Sequence, residues 1–289
     1  MATLRVGSGL VAGLLTGWLV AGCTQAPPAG SQRPVAEATS SPATSSHPFQ
    51  AATSPPVPSR SAARTTPPRT TPPRSTPRRS AAATRPAPAA GSVLPVAGLT
   101  GTASQLLTVT APAWGATQAT LQAWDRIGAS WQRHGDSVPA WLGQAGMSRQ
   151  ASEGFTGSPA GSFTLTQAFG NYPDPGTALP YFQAGRDDWW SGDSSSPTYN
   201  SHQRCPATSC PFRTGLSENL HDAGAVYGYA VAIDYNTAPA IPGRGSAFFL
   251  HVSQQQPTAG CVSIDQDALV QILRWLNPAR HPRIIMGVG

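Results

Sequence analysis

From residue 24 to about residue 92 the chain is built almost wholly of Pro, Ala, Ser, Thr and Arg. Arg64-Thr65-Thr66-Pro67-Pro68 is followed by Arg69-Thr70-Thr71-Pro72-Pro73 and by Arg74-Ser75-Thr76-Pro77, a five-residue repeat with no apolar face to bury. Fixing the backbone of one residue costs about 1–2 kcal/mol, and a stretch without large apolar side chains has nothing to offset that cost. A disordered or polyproline spacer is therefore expected over residues 23–92, and as a coil it averages roughly 45 Å end to end. Any packed core has to come from residues 93–289, which is enough for one domain.

Ahead of the spacer, Leu10 to Val20 is an apolar run preceded by one charge, Arg5. A membrane span needs about 20 apolar residues, so this run suits the core of a signal peptide over residues 1–22. It closes on Val20-Ala21-Gly22-Cys23, and small residues before a cysteine at this position resemble a bacterial lipobox. The resemblance implies export, cleavage and lipidation of Cys23. The mature protein is then expected on the outer face of the cytoplasmic membrane, held by its lipid anchor and extending into the cell wall.

The formal charge of +6 belongs to this tail. The spacer carries Arg33, Arg60, Arg64, Arg69, Arg74, Arg78, Arg79 and Arg85 against Glu37 alone, Arg5 adds one charge in the leader, and the remainder is left at −2. A basic tail commonly reads as nucleic-acid binding. An exported chain rarely meets nucleic acid, so none is expected as a partner; a solvated spacer, or contact with anionic polymers or headgroups, fits better.

Cys205 and Cys210 lie in Cys-Pro-Ala-Thr-Ser-Cys, and outside the cell a loop disulfide is expected of them. Cys261 is then left over as a candidate thiol. Neither Cys-x-x-Cys nor His-Glu-x-x-His occurs, and the histidines are scattered, so no metal site is expected.

Within the folded part, Leu106 to Ala111 and Gln118 to Asp125 read as strands, the second with Ala119, Leu121 and Ala123 alternating with polar residues. A strand is also expected from Tyr227 to Tyr235. Gly, Pro, Ser and Asp recur at short intervals through residue 215, and only the segment after Ser263 gives a clear helix signal. There Ser263 and Gln266 form a capping-box pattern, Leu269, Ile272, Leu273 and Leu276 follow at helical spacing, and Asn277-Pro278 ends the run. A mainly β domain is expected.

The chemistry-bearing stretch is Phe248 to Ile264. An apolar run delivers His251, a polar turn follows, and Thr258-Ala259-Gly260-Cys261-Val262 returns. A thiol is a weak nucleophile until a base takes its proton, and imidazole is the usual partner. With Ser263 as N-cap, Cys261 sits just ahead of a helix N-terminus, where the macrodipole favours a thiolate. Taken singly, Cys261 reads more readily as a small buried hydrophobe and His251 as an ordinary strand residue; together with Gly260 they favour nucleophilic catalysis. Asp187-Asp188-Trp189-Trp190 is a second cluster. Paired acids can serve as general acid and base and indoles can stack on sugars or peptide, although a hydrogen-bonded turn with packed indoles is the commoner outcome. Glu218 and His221 are candidates for a supporting role.

These pieces together resemble the L,D-transpeptidase family with its YkuD-like catalytic domain. The likeness runs from about Leu106 to the C-terminus and rests on Ser158-Pro159-Ala160-Gly161-Ser162-Phe163, on the strand ending in His251, and on Thr258-Ala259-Gly260-Cys261-Val262, with His preceding Cys. Two positions depart from the family pattern: Ala259 stands where the family carries His, and Ser263 where a basic residue is common. The resemblance implies a β-sandwich of L,D-transpeptidase type and needs no cofactor. Cys261 is the implied nucleophile, His251 the general acid and base, and the backbone near Gly260 and Cys261 the oxyanion holder. Thr258, Ser263 and Tyr235 are the candidates for contact with substrate.

The implied substrates are peptidoglycan stem peptides, joined in 3-3 crosslinks or trimmed as by an L,D-carboxypeptidase, with a carbapenem as covalent inhibitor and the protein acting as a monomer. Two other readings stand beside this one. The first is a wall-binding lipoprotein that keeps the fold without the reaction, favoured by Ala259. The second is a docking module that uses Trp189 and Trp190.

Overall fold

The computed structural model describes residues 92–289. The expected signal peptide, the lipidation site Cys23 and the spacer up to residue 91 lie outside the described residues. The described part is mainly β, with one α-helix near its C-terminus.

Three long strands, β1 (Gln105–Ala111), β2 (Gln118–Ile127) and β3 (Ser130–Trp141), follow one another as an antiparallel run, β1 against β2 and β2 against β3. The first two match the expected strands. The third was not legible: Gly135, Asp136 and Pro139 interrupt its sequence, and β3 bulges opposite Gln122, where the register with β2 shifts. Two short strands, β4 (Met147–Ser148) and β5 (Ser158–Pro159), pair in parallel and lead into β6 (Gly161–Thr164). Next come β7 (Ala168–Gly170) and β8 (Tyr181–Gln183), also parallel. The small strands β9 (Asp188–Trp190), β10 (His202–Arg204) and β11 (Glu218–Asn219) form a separate three-stranded sheet centred on β9.

The chain then returns through β12 (Ala230–Ala232), β13 (Phe249–Val252) and β14 (Val262–Ile264), passes through helix α1 (Gln266–Trp275) and ends in β15 (Arg283–Val288). The strand expected from Tyr227 to Tyr235 is shorter than its apolar pattern suggested, because Gly224–Tyr227 forms a 3-10 turn and Gly228 follows it. The main sheet has ten strands in the order β6-β15-β1-β2-β3-β14-β13-β12-β7-β8.

One core gathers Leu107 and Val109 from β1, Val231 from β12, Leu250 from β13, Val262 and Ile264 from β14, and Ile284 and Met286 from β15, with Leu269, Ile272 and Leu273 of α1 lying against them. Phe163 of β6 and Tyr181 of β8, from the two edges of the sheet, pack on the same core. The sheet therefore curls around it, and α1 buries the apolar face that its spacing announced. The opposite face of β12 and β13 forms a second core, in which Phe169, Tyr227, Phe249 and Cys261 meet Trp190 and Leu220 near the small sheet.

The helix begins later than expected. Asp265 is the N-cap and accepts from the backbone N–H groups of Asp267 and Ala268, whereas Ser263 lies inside β14. Both patterns are present in the sequence, and pairing of β14 with β13 wins residues 262–264 for the sheet. Cys261 is thus followed by a strand, and the free N–H groups of the helix are answered by Asp265 rather than directed at sulfur.

Candidate active site

Strand alternation places the chemistry. Along β13, Leu250 and Val252 face the first core, while Phe249 and His251 face the second. β14 pairs with β13 in parallel, Leu250 opposite Val262 and His251 opposite Ser263. Residues opposite each other share a face, so Ser263, and Cys261 two residues before it, lie on the His251 face. The sulfur is pinned over β13: Phe249 N–H donates to Cys261 Sγ at 3.1 Å. Cys261 and His251 are therefore diagonal neighbours on adjacent strands, a spacing that long side chains can span.

His251 is fully buried. Its Nδ1 lies 2.8 Å from the Val252 carbonyl oxygen, which can only accept, so Nδ1 carries the proton and Nε2 keeps its lone pair. Burial pulls the pKa down from 6.5 to about 4, against the smaller upward effect of the Val252 carbonyl, so the ring is neutral near pH 7. Nε2 has no hydrogen-bond partner among the described residues, and neither has the buried Ser263 Oγ on the paired residue. The Tyr227 ring stands edge-on to the imidazole, centroids 5.5 Å apart, and its hydroxyl donates to Glu218 at 2.7 Å. Glu218, a supporting candidate from the sequence, thus reaches His251 through Tyr227. His221 faces Asp222 at the surface and takes no part.

The loop before the cysteine is locked by hydroxyls. Thr258 Oγ1 donates to the Cys261 carbonyl at 2.7 Å and accepts from Gly260 N–H at 3.1 Å. Ser158 Oγ donates to the same carbonyl at 3.0 Å and accepts from Gly143 N–H at 2.9 Å. Thr258 is fully buried with its hydroxyl committed to the loop, so it shapes the site from behind rather than lining a surface for substrate. Gly260 sits at φ +150°, and a Cβ there would lie 2.9 Å from the Phe248 ring and 3.2 Å from the Gly157 carbonyl oxygen. Its N–H is engaged by Thr258, so its visible contribution is this conformation and close approach. Ser158 belongs to the sequence stretch that carried the family resemblance, but nothing in the sequence showed that its hydroxyl meets Cys261 across 103 residues.

Tyr235 stands apart from the pair. Its ring meets Phe163 and Phe248 edge-on and its hydroxyl donates to the Ala151 carbonyl, so it touches the site only through Phe248, which packs on Gly260. The acid and indole cluster is structural. Asp188 is buried; burial opposes its charge, but hydrogen bonds from Arg204, Gly185 N–H and His202 outweigh that and hold its carboxyl below the usual range. Asp193 is held lower still, first by the Arg213 guanidinium. Trp190 donates to Asn200 and Trp189 to the Cys205 carbonyl. Asp187 is exposed, so the two adjacent acids do not form a catalytic pair.

Cys205 and Cys210 are joined by a disulfide, Cα atoms 5.3 Å apart. Cys261 is fully buried. Among the described residues no cluster of His, Cys, Asp and Glu has the makings of a metal site.

A family model described as the YkuD L,D-transpeptidase catalytic domain matches residues 130–285. The chain belongs to this family. The match takes in every strand from β3 to β14, helix α1, and both Cys261 and His251. No curated protein and no solved structure gives a match. Proteins of the YkuD family are cysteine-dependent L,D-transpeptidases acting on peptidoglycan stem peptides, and this chain carries their catalytic domain.

Proposed function

We propose that Cys261 of this YkuD domain transfers the acyl group of a peptidoglycan stem peptide, forming 3-3 crosslinks with an amine acceptor and acting as an L,D-carboxypeptidase with water. The observation that carries this reading is the shared face of Cys261 and His251, with an unprotonated Nε2 on that face. His251 takes the proton of the reduced Cys261 thiol. The thiolate attacks the carbonyl carbon of the third stem residue, the amide C–N bond breaks, and His251 returns the proton to the departing D-amino acid. The side-chain amine of a second stem then attacks the thioester, the C–S bond breaks, and the proton passes by way of His251 to sulfur. The thioester conserves the energy of the broken amide, which suits chemistry outside the membrane where no ATP is supplied. We place the protein there as a monomer tethered through lipidated Cys23.

The test is a donor tetrapeptide stem incubated with the reduced protein, with and without an acceptor stem. A 3-3 linked dimer with acceptor, a tripeptide without it, and neither from Cys261→Ala are the expected products. Release of no D-amino acid by the folded, reduced protein would sink the reading.

A second reading, a peptidoglycan-binding lipoprotein that retains the fold, is favoured by Ala259 and Ser263 at the two departing positions and by the full burial of Cys261 and His251. It predicts sedimentation with peptidoglycan that Cys261→Ala leaves unchanged, with no acyl adduct under any condition.

A further inference from the structure

A groove of about 530 Å³ lies on the outward face of β1 and β2, and neither Cys261 nor His251 lines it. Alternation creates it. Leu107 and Val109 of β1 and Leu121 and Ala123 of β2 enter the core, which turns Thr108, Thr110, Thr120 and Gln122 outward; Arg133 and Ser137 of β3 complete a polar wall. No carboxylate side chain lines it. Its volume falls within the range of about 300–1,000 Å³ usual for ligand pockets.

The floor is built around Gln122, only 4 % exposed. Where β3 bulges, the Gln122 Nε2 amide donates to the carbonyls of Ala123, His134 and Gly135 at 2.8, 3.3 and 3.2 Å. The nitrogen is clamped, so the carboxamide cannot flip, and Oε1 is left buried with no partner among the described residues. Thr110 Oγ1, on the neighbouring strand and in the same groove, is likewise buried without a partner. Thr108, by contrast, accepts from the Trp124 indole at 2.9 Å. Buried oxygens left unmatched are costly, and two of them in one groove call for a ligand that brings donors.

We propose that this groove binds an N-acetylated saccharide, whose hydroxyls and amide N–H would meet Gln122 Oε1 and Thr110 Oγ1 on the floor while Arg133 and Ser137 hold its rim. A peptide fits less well. Extended peptides bind by adding a strand to a sheet edge, whereas β1 lies between β15 and β2, and β2 between β1 and β3, so the main-chain groups of the floor are already paired. The choice of an N-acetylated sugar rests on the proposed wall substrate; the groove itself does not involve Cys261.

The experiment is a titration of the full chain with a β-1,4-linked trimer of N-acetylglucosamine, followed by amide NMR shifts. Saturable shifts clustered on β1 and β2 are expected. Gln122→Leu and the gentler Thr110→Val should each weaken binding about tenfold while leaving acylation unchanged, and Cys261→Ala should leave saccharide binding intact. Saccharide binding without acylation would retire the enzymatic reading and keep the groove; acylation without saccharide binding would do the reverse. The proposal is overturned by absence of saturable binding, by binding that survives both groove substitutions in folded protein, or by a peptide of residues 64–78 occupying the groove where the saccharide does not.

Discussion

At the scale of single residues the site depends on a histidine kept neutral by its surroundings. Burial lowers the His251 pKa to about 4, so the folded state refuses a proton that the unfolded chain accepts below about pH 6.5. Its contribution to stability is complete above pH 6.5 and is lost as the pH falls from there through 4. Thermal melts of wild type and His251→Gln should therefore converge on acidification, with the wild-type midpoint falling more steeply between pH 6.5 and 4; parallel curves would remove this role. The sequence marked Cys261 and His251 through their order and spacing and through the Thr258-Ala259-Gly260-Cys261-Val262 stretch. It could not show Tyr227 against the imidazole or Ser158 on the cysteine carbonyl, because both contacts join segments far apart in the chain.

At the scale of elements the cysteine loop is held by hydroxyls and by one backbone conformation. Ser158→Ala leaves the buried Gly143 N–H without its acceptor and takes one of two hydroxyl donors from the Cys261 carbonyl. A loss of about 1–3 kcal/mol is expected in denaturant unfolding. Gly260→Ala should lose a similar amount, because its φ of +150° and the nearby Phe248 ring leave no comfortable room for a methyl group. If acylation slows more in these variants than their lost stability accounts for, the loop positions the nucleophile as well as folding it. The helix was legible from its four apolar residues, all of them buried. Its start was not, since a capping pattern at Ser263 competed with one at Asp265 and only strand pairing decided between them. Asp265→Ala should cost about 1 kcal/mol by removing the cap that is actually used.

For the whole molecule, a mainly β class followed from the turn residues and from a single helical period, but the strand order did not. β15, from the last residues of the chain, inserts between β6 and β1, which no local pattern announces. Removing residues 283–289 would withdraw an interior strand together with Ile284, Ile285 and Met286, all buried. The truncated chain is expected to lose cooperative unfolding and to become readily digested by protease. In cells, halving the stretch of residues 23–92 should reduce crosslinking if that stretch is the spacer expected from its composition; unchanged crosslinking would leave it no such role.

The measurement that bears most directly on the account is intact mass after exposure of the reduced protein to a carbapenem, with the modified residue mapped by peptide. One carbapenem equivalent is expected on Cys261, forming far more slowly in His251→Ala and not at all in Cys261→Ala. A folded, reduced wild-type protein that gains no mass, or an adduct that persists in Cys261→Ala, would contradict the assignment of Cys261 as the nucleophile.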